Sequence, residues 1–410
     1  MLTAFSSFLL MSVSGTAHAQ PSQPSQQPPS GPPQTIVVVG DRIADLRRRL
    51  AACLARHCPP NEDIDATTAL AELLFDNGEY RDARSVLLAS IGRNRREARN
   101  YPEPVSDLYR ANALVARHLG FDADARFSTW EILHSLQRGL PVEDARHFTA
   151  RLEVIESLIA FGEYVQARDQ LRELARRARA AGRDDVVAAT ELRGIWLHYI
   201  QDPHGDEVVR ELTTMAAGTN GYRSIGARML LVRIYNARGQ TRQAEALIAQ
   251  IAGRGTHRQL LFAPDYDLVQ GENTLAPVSN QREIMNSLQV GGRPVIMDNL
   301  TDRMTDIYDQ LVDVAFRIRP DGTVADVQIV NHRGEPGWAP PLIRSISGRR
   351  YAISRDGSET YRVERYSYTA ERRTEGLTST HISNRSPRGR VEYRELSETN
   401  IPPTQPAGSS

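Results

Sequence analysis

Two hydrophobic periodicities divide this chain. From about Asp63 to Gly253 apolar residues recur every three or four positions, the stripe of amphipathic helices. One phrase returns there: an apolar helix, a Gly, one or two residues, then a second helix with Ala near its start. It is clearest in Leu70–Ala83, Ile155–Ala167 and Leu231–Ala244, degenerate in Ala116–Ala125 and weakest around Gly205. The glycines stand at 78, 120, 162, 205 and 239, at intervals of 42, 42, 43 and 34 residues. From Val312 the period drops to two. Val312, Val314, Phe316 and Ile318 share one face, and Asp313, Arg317 and Arg319 the other. After Pro320-Asp321-Gly322 the alternation resumes with Ala325, Val327 and Ile329. Asp-Gly between alternating runs predicts a hairpin closed by a two-residue type I′ turn. Trp338–Ile346, with Pro in its first turn, predicts a helix buried through Leu342, Ile343 and Ile346. Tyr361–Thr369 predicts a third strand.

The Gly-x-Tyr-x-x-Ala phrase resembles the tetratricopeptide repeat (TPR). Gly permits a tight turn, Tyr packs into a neighbouring groove, and Ala lets the second helix sit close to the first. The resemblance implies a stacked α-solenoid with a concave face, here with a period longer than the usual ~34 residues. Residues 312–369, with Gly348-Arg-Arg-Tyr351 before the last strand, resemble the C-terminal domain of the energy transducer TonB. Two departures stand out. Gln310-Leu311 replaces the family's Gly before the first strand, and Asn331–Gly337 replaces its Ser-Ser-Gly. That resemblance implies a β-β-α-β domain whose sheet edge captures an extended partner segment by strand addition. Carried onto this chain, the edge residues are Tyr361, Val363, Arg365, Tyr366 and Tyr368. The implied partner is a protein or peptide, such as an outer-membrane TonB-dependent receptor. Ile36, Val37, Val38 and Val39, before Gly40, look like the TonB-box region of such receptors and form a candidate recruited strand. One docking place for it is the chain's own C-terminal domain; a buried strand is the plainer alternative.

The 410 residues allow two or three domains. The expected fold class is mostly α: a TPR-like α-solenoid followed by a small α+β TonB-like domain. The expected boundaries are a signal peptide at 1–19, a Pro-rich linker with a short β-prone patch at 20–41 and helical repeats at 42–255. A transition segment at 256–290, the TonB-like domain at 291–372 and a disordered tail at 373–410, with a candidate strand at Arg390–Leu396, complete the chain. Leu2–Val13 is mostly apolar and Ala17-His18-Ala19 gives a small-x-small cleavage pattern, leaving Gln20 as the mature start. The apolar run is short of the ~20 residues that a membrane span needs. The expected location is therefore the periplasm of a Gram-negative bacterium, with no stable span in the mature form. The alternative is a divergent energy transducer whose retained N-terminal segment anchors it in the inner membrane.

Charge and motifs narrow the chemistry. Net charge is zero, which favours neither nucleic acid nor an anionic membrane surface. All 50 basic residues are Arg, which excludes Walker, Schiff-base and Ser-Lys chemistry. No metal-type cluster, cofactor fingerprint or nucleophile elbow is present, so a non-enzymatic protein without cofactor or metal is expected. His118, His134, His147 and His198 read as packed or surface residues on helices. Asp184-Asp185 and Glu143-Asp144 read as acidic first turns that complement the helix macrodipole. The Arg runs at 47–49 and 93–99 read as solvated faces, with a carboxylate or phosphate site on the concave face as the alternative. Cys53 and Cys58, in an exported chain, read as a disulfide stapling a helix end.

Overall fold

The computed structural model describes residues 36–218, 221–251, 258–264, 289–290, 293–294, 310–374 and 383–401. The expected signal peptide and most of the linker and transition segment lie outside them. The chain is mostly helical, with a small β region at its C-terminal end.

Eleven helices come first: α1 (Ile36–Ala55), α2 (Pro60–Asp76), α3 (Tyr80–Asn94), α4 (Pro102–His118), α5 (Asp122–Gly139), α6 (Arg146–Ala160), α7 (Tyr164–Ala180), α8 (Asp184–Gln201), α9 (Asp206–Ala216), α10 (Gly221–Ala237) and α11 (Thr241–Ile248). The recurring phrase folds as helical hairpins. In α2, Ile64, Leu70, Ala71, Leu74 and Phe75 form the buried stripe, and the helix stops at Gly78, whose φ of +79° only glycine adopts without strain. The amide after that glycine, Glu79 N–H, donates back to Leu74 O at 2.8 Å, a Schellman closure. The same closure recurs at Gly120, Gly162 and Gly239. The small residues of the phrase, Ala83, Ala125, Ala167 and Ala244, are buried where the second helix meets the first. Gly205 departs from this pattern. It has φ −64° and precedes α9 as its N-cap, while Gly182, between α7 and α8, takes the left-handed conformation. Each helix packs on the next, and α2 also meets α4, as α8 meets α10.

Two expectations about the N-terminal segment change. Residues 36–39 are helical, the first turn of α1, rather than a β-prone patch or an extended recruited strand. β-branched residues cost a helix only a few tenths of a kcal/mol each, which the following amphipathic turns offset. Cys53 and Cys58 are joined by a disulfide, with Cα atoms 5.2 Å apart, across the turn from α1 into α2.

The β region contains β1 (Leu260–Phe262), the short pair β2 (Gln289–Val290) and β3 (Arg293–Pro294), β4 (Gln310–Ile318), β5 (Val324–Arg333), helix α12 (Ala339–Ser347), β6 (Arg350–Tyr351), β7 (Glu359–Thr374) and β8 (Ser383–Ile401). β5, β4, β7 and β8 form one antiparallel sheet in that order, and β1 pairs with β6. The tail expected to be disordered from 373 instead supplies β8, a 19-residue strand paired along the whole of β7. The β4–β5 turn is also not type I′. Gly322 N–H donates to Arg319 O at 2.9 Å and Arg319 N–H to Thr323 O at 2.8 Å, and Gly322 alone has positive φ, +83°. Pro320 fixes its own φ near −65°, which suits a type I turn followed by a glycine bulge.

The sheet is a middle layer. Val312, Val314, Phe316 and Ile318 face α12 and pack with Trp338, Leu342, Ile346 and Tyr366. Leu311, on the opposite face of β4, belongs to the core of the helical region. β5 is one free margin of the sheet, broken by two register shifts and by Asp326 at φ +55°. Bulges of this kind discourage edge-to-edge pairing.

Candidate functional site

β7 carries the residues expected to capture a partner strand, and the structure covers both of its edges. β4 covers one edge and β8 the other, so β7 is an inner strand and not the sheet margin expected for it. Tyr361 remains 37% exposed and Val363 half-buried, while Arg365, Tyr366 and Tyr368 are buried. Tyr368 stacks on Trp338 with ring centroids 5.4 Å apart, and its ring leaves no room for a side chain at Gly389 of β8. The register places Tyr366 opposite Tyr393 and Tyr368 opposite Val391. Where an incoming segment was expected, the chain's own C-terminal strand lies.

Under that surface is a buried charge network. Arg349 donates to Glu364 at 2.6 Å and to the Tyr366 hydroxyl at 2.7 Å, and Tyr366 itself donates to Glu364. Tyr393 donates to the other carboxylate oxygen of Glu364 at 3.1 Å. Burial and the neighbouring carboxylate push the Tyr366 hydroxyl well above its ordinary range, and burial raises Tyr351 to about 12. Both phenols stay protonated; Tyr366 and Tyr393 donate to Glu364, while the Tyr351 hydroxyl accepts from Arg349. A buried ion pair of this kind adds little net stability, but breaking it leaves an uncompensated charge.

The other face of β7 meets the helical region. Arg365 clasps Asp313 with contacts of 2.6 and 2.7 Å and donates to Phe75 O at the end of α2 at 2.7 Å. Arg372 N–H donates to Gly120 O at 2.7 Å, and Arg333 to Gly78 O at 2.6 Å. β8 extends the contact: Arg390 pairs with Asp122, and Glu392 with Arg117 at 2.8 Å. Burial alone would raise Glu392, but Arg117 and Arg390 outweigh it and hold the carboxyl at about 2.

One constellation here imitates a catalytic pair. Ser367 Oγ lies 2.9 Å from His118 Nδ1 and 2.8 Å from the Tyr80 hydroxyl. Ser367 is 1% exposed and His118 2% exposed, between α2–α5 and the sheet, with no opening to admit a substrate. Burial drives His118 down to about 3, so the imidazole is neutral and serves as a hydrogen-bond partner. Of the two readings the sequence offers for His118, packed or surface residue, the structure shows the packed one. Cys53, Cys58 and Glu62 lie close together, but the two sulfurs are bonded to each other and cannot act as thiolate ligands.

Open surface is found on the helices. A groove of about 600 Å³ runs between α2 and α4 and reaches Arg394 of β8. A second, of about 550 Å³, lies between α7 and α8, where Arg168, Arg172 and His198 face Leu171, Gly194 and Leu197. Among the described residues no helix is long and apolar enough to cross a membrane.

No protein-family model matches the chain, and no curated protein does either. Among solved structures, the chain is similar to BtubC (BKLC) from P. vanneervenii, at 18% identity and a TM-score of 0.38, over 52% of this chain and 89% of that one.

Sequence reasoning missed Glu364, Arg349 and the extent of β8, of which it marked only Arg390–Leu396 as a candidate strand. A signal for the first was present: Arg362 and Glu364 alternate in phase with Tyr366 and Tyr368, so charge falls on a core-facing stripe. Arg233 on α10 gave no signal at all. It is 8% exposed, makes no ion pair or hydrogen bond among the described residues, and is driven by burial down to about 10. We have no physical account of its placement.

Proposed function

We propose that this chain is a non-enzymatic protein-interaction adaptor of the periplasm, built from TPR-like helical repeats carrying a TonB-like C-terminal domain. A single observation supports it best. The strand that the TonB resemblance assigns to partner capture is already paired with β8, whereas the helices present two open grooves. In this reading the sheet braces the helical array, and partners bind the helices. A link to TonB-dependent transport would then run through a partner held by the repeats. The buried phenol and carboxylate groups favour a structural role for the sheet, because each is already satisfied within the fold.

Site-specific photocrosslinking in the producing cell tests this. A photoreactive benzoylphenylalanine replaces Ala111 or Ala175 in the two grooves, or the exposed Val142 as a control. The expected result is a discrete adduct with an envelope protein from a groove position and none from Val142, on a chain that begins at Gln20 in the soluble periplasmic fraction. Absence of adducts from both grooves, or an intact Met1 terminus in the inner membrane, would overturn the reading.

A further inference from the structure

The groove between α2 and α4 combines an apolar floor with an acidic rim. Ile64, Ala71 and Phe75 of α2 and Leu114 of α4 line its base. Each has its own place in the helical core, so the floor is rigid. Four carboxylates stand along the lips: Asp65 and Glu72 on α2, Glu103 and Asp107 on α4. Their spacing follows the helix period. Asp65 and Glu72 are two turns apart on one helix, and Glu103 and Asp107 one turn apart on the other, so both rows face the same trough.

The occupants of these carboxylates inside the fold are telling. Arg394, arriving from β8, lies over the Phe75 ring at 4.9 Å and donates to Glu72 at 3.3 Å. A guanidinium on an aromatic face with a carboxylate beside it is the arrangement that arginine makes best. Glu103 and Asp107 are paired with Arg146 and Arg110, all with half-exposed side chains. Exposed pairs of this kind contribute little and can exchange partners at little cost. Asp65 makes no ion pair among the described residues. The fold thus fills one end of the trough with arginine; of the other rim carboxylates, Asp65 carries no ion pair among the described residues and Glu103 and Asp107 hold only exposed, exchangeable ones.

We propose that this groove binds a partner segment in which arginine and apolar side chains alternate, the apolar side chains on the floor and the guanidinium groups on the rim. The inference rests on the adaptor reading and names the chemistry of its partner. An extended segment presents alternate side chains to opposite sides, and a trough with an apolar base and charged lips accommodates both sets.

The test uses the mature chain and a fluorescent hexapeptide of alternating leucine and arginine, followed by anisotropy. Saturable binding is expected, weakened about tenfold in a Glu72→Gln/Asp107→Asn double variant, since two charge-assisted contacts are lost. Asp169→Asn, on an exposed carboxylate of α7, leaves binding unchanged. A leucine–lysine peptide binds at least threefold more weakly, because ammonium groups lack the planar fork. Equal binding by the double variant, by the lysine peptide or by a leucine–glutamate peptide would overturn the proposal. So would sedimentation showing a dimer that the double variant dissolves, because the groove would then belong to a second copy. Unfolding curves of the variants separate lost binding from lost fold. A peptide that fails while the crosslinks persist removes this inference alone; failure of both removes the adaptor reading as well.

Discussion

The turns at Gly120 and Gly162 have the same local structure and different surroundings. Both follow an apolar helix, both have φ near +77° (+77° and +76°), and both close with the same backbone hydrogen bond from the residue after the glycine. A Cβ on Gly162 would meet nothing within 4 Å, whereas one on Gly120 would lie 2.0 Å from the carbonyl oxygen of Ala370 in β7. A repeat phrase specifies its own hairpin; which copy is covered by the sheet depends on residues 250 positions away. The difference separates the α2–α5 stretch of the helical region, clamped by β7 and β8, from the uncovered α6–α7 turn; α10 and α11 meet the β region again at β1 and β6.

The strongest way to break the clamp is to remove charge from it. Arg390 joins Asp122 to Glu392, and all three are largely buried. Arg390→Met leaves Asp122 without its arginine and Glu392 with Arg117 alone, and is expected to cost about 4 kcal/mol, read as a shift of the denaturant midpoint at unchanged m-value. A loss under 1 kcal/mol would mean that the sheet does not clamp the helices through this contact. The two glycines come next. Gly162→Ala carries only the left-handed strain, about 1 kcal/mol. Gly120→Ala adds a forced separation from Ala370 and is expected to cost about 3 kcal/mol. Equal losses at the two sites would show that the Ala370 contact is readily given up.

The same comparison explains what could be read from the sequence. The hairpin turns at 78, 120, 162 and 239 were legible because a glycine and a buried alanine at fixed spacing are local requirements. The disulfide was legible for the same reason, as was the alternation of β4. Gly182 was missed because its turn joins two hairpins and carries no Tyr or Ala phrase. β8 was legible only as a candidate strand at Arg390–Leu396, and its full length was missed because Arg390, Glu392 and Arg394 face helix charges, Asp122, Arg117 and Glu72. A strand whose second face is electrostatic shows no apolar alternation and resembles a polar tail. The expected capture edge at Tyr361–Tyr368 failed with it, since that edge is open only when β8 is ignored. Ile36–Val39 was read as strand from its β-branched residues, although helix propagation from the segment that follows decides its state.

The clamp also holds a buried histidine whose protonation is coupled to folding. His118 Nδ1 is engaged with Ser367, its Nε2 has no partner among the described residues, and the ring is packed against Phe75 and Tyr80. Burial lowers its pKa from 6.5 to about 3, against a small opposing pull from Glu392 and with Arg117, Arg394 and Arg365 adding to the effect of burial. A folded-state pKa below the unfolded value means that the unfolded chain binds the proton more tightly. The contribution is therefore complete above pH 6.5 and declines as pH falls toward 3. From pH 7 to pH 5 the unfolding free energy should drop by about 2 kcal/mol on this account. Glu392 acts in the same direction only lower, between its ordinary 4.5 and about 2, while burial raises Asp76, Asp107, Asp122 and Glu156, which act in the opposite direction. Over the interval from pH 7 to pH 5 the His118 contribution is therefore read as the difference between the native chain and a His118 variant. His118→Gln keeps a polar partner for Ser367 and removes the titration; its unfolding free energy should be flatter over that interval by about the same 2 kcal/mol. An unchanged slope in the variant would place the acid sensitivity elsewhere and leave the clamp held by its arginines alone.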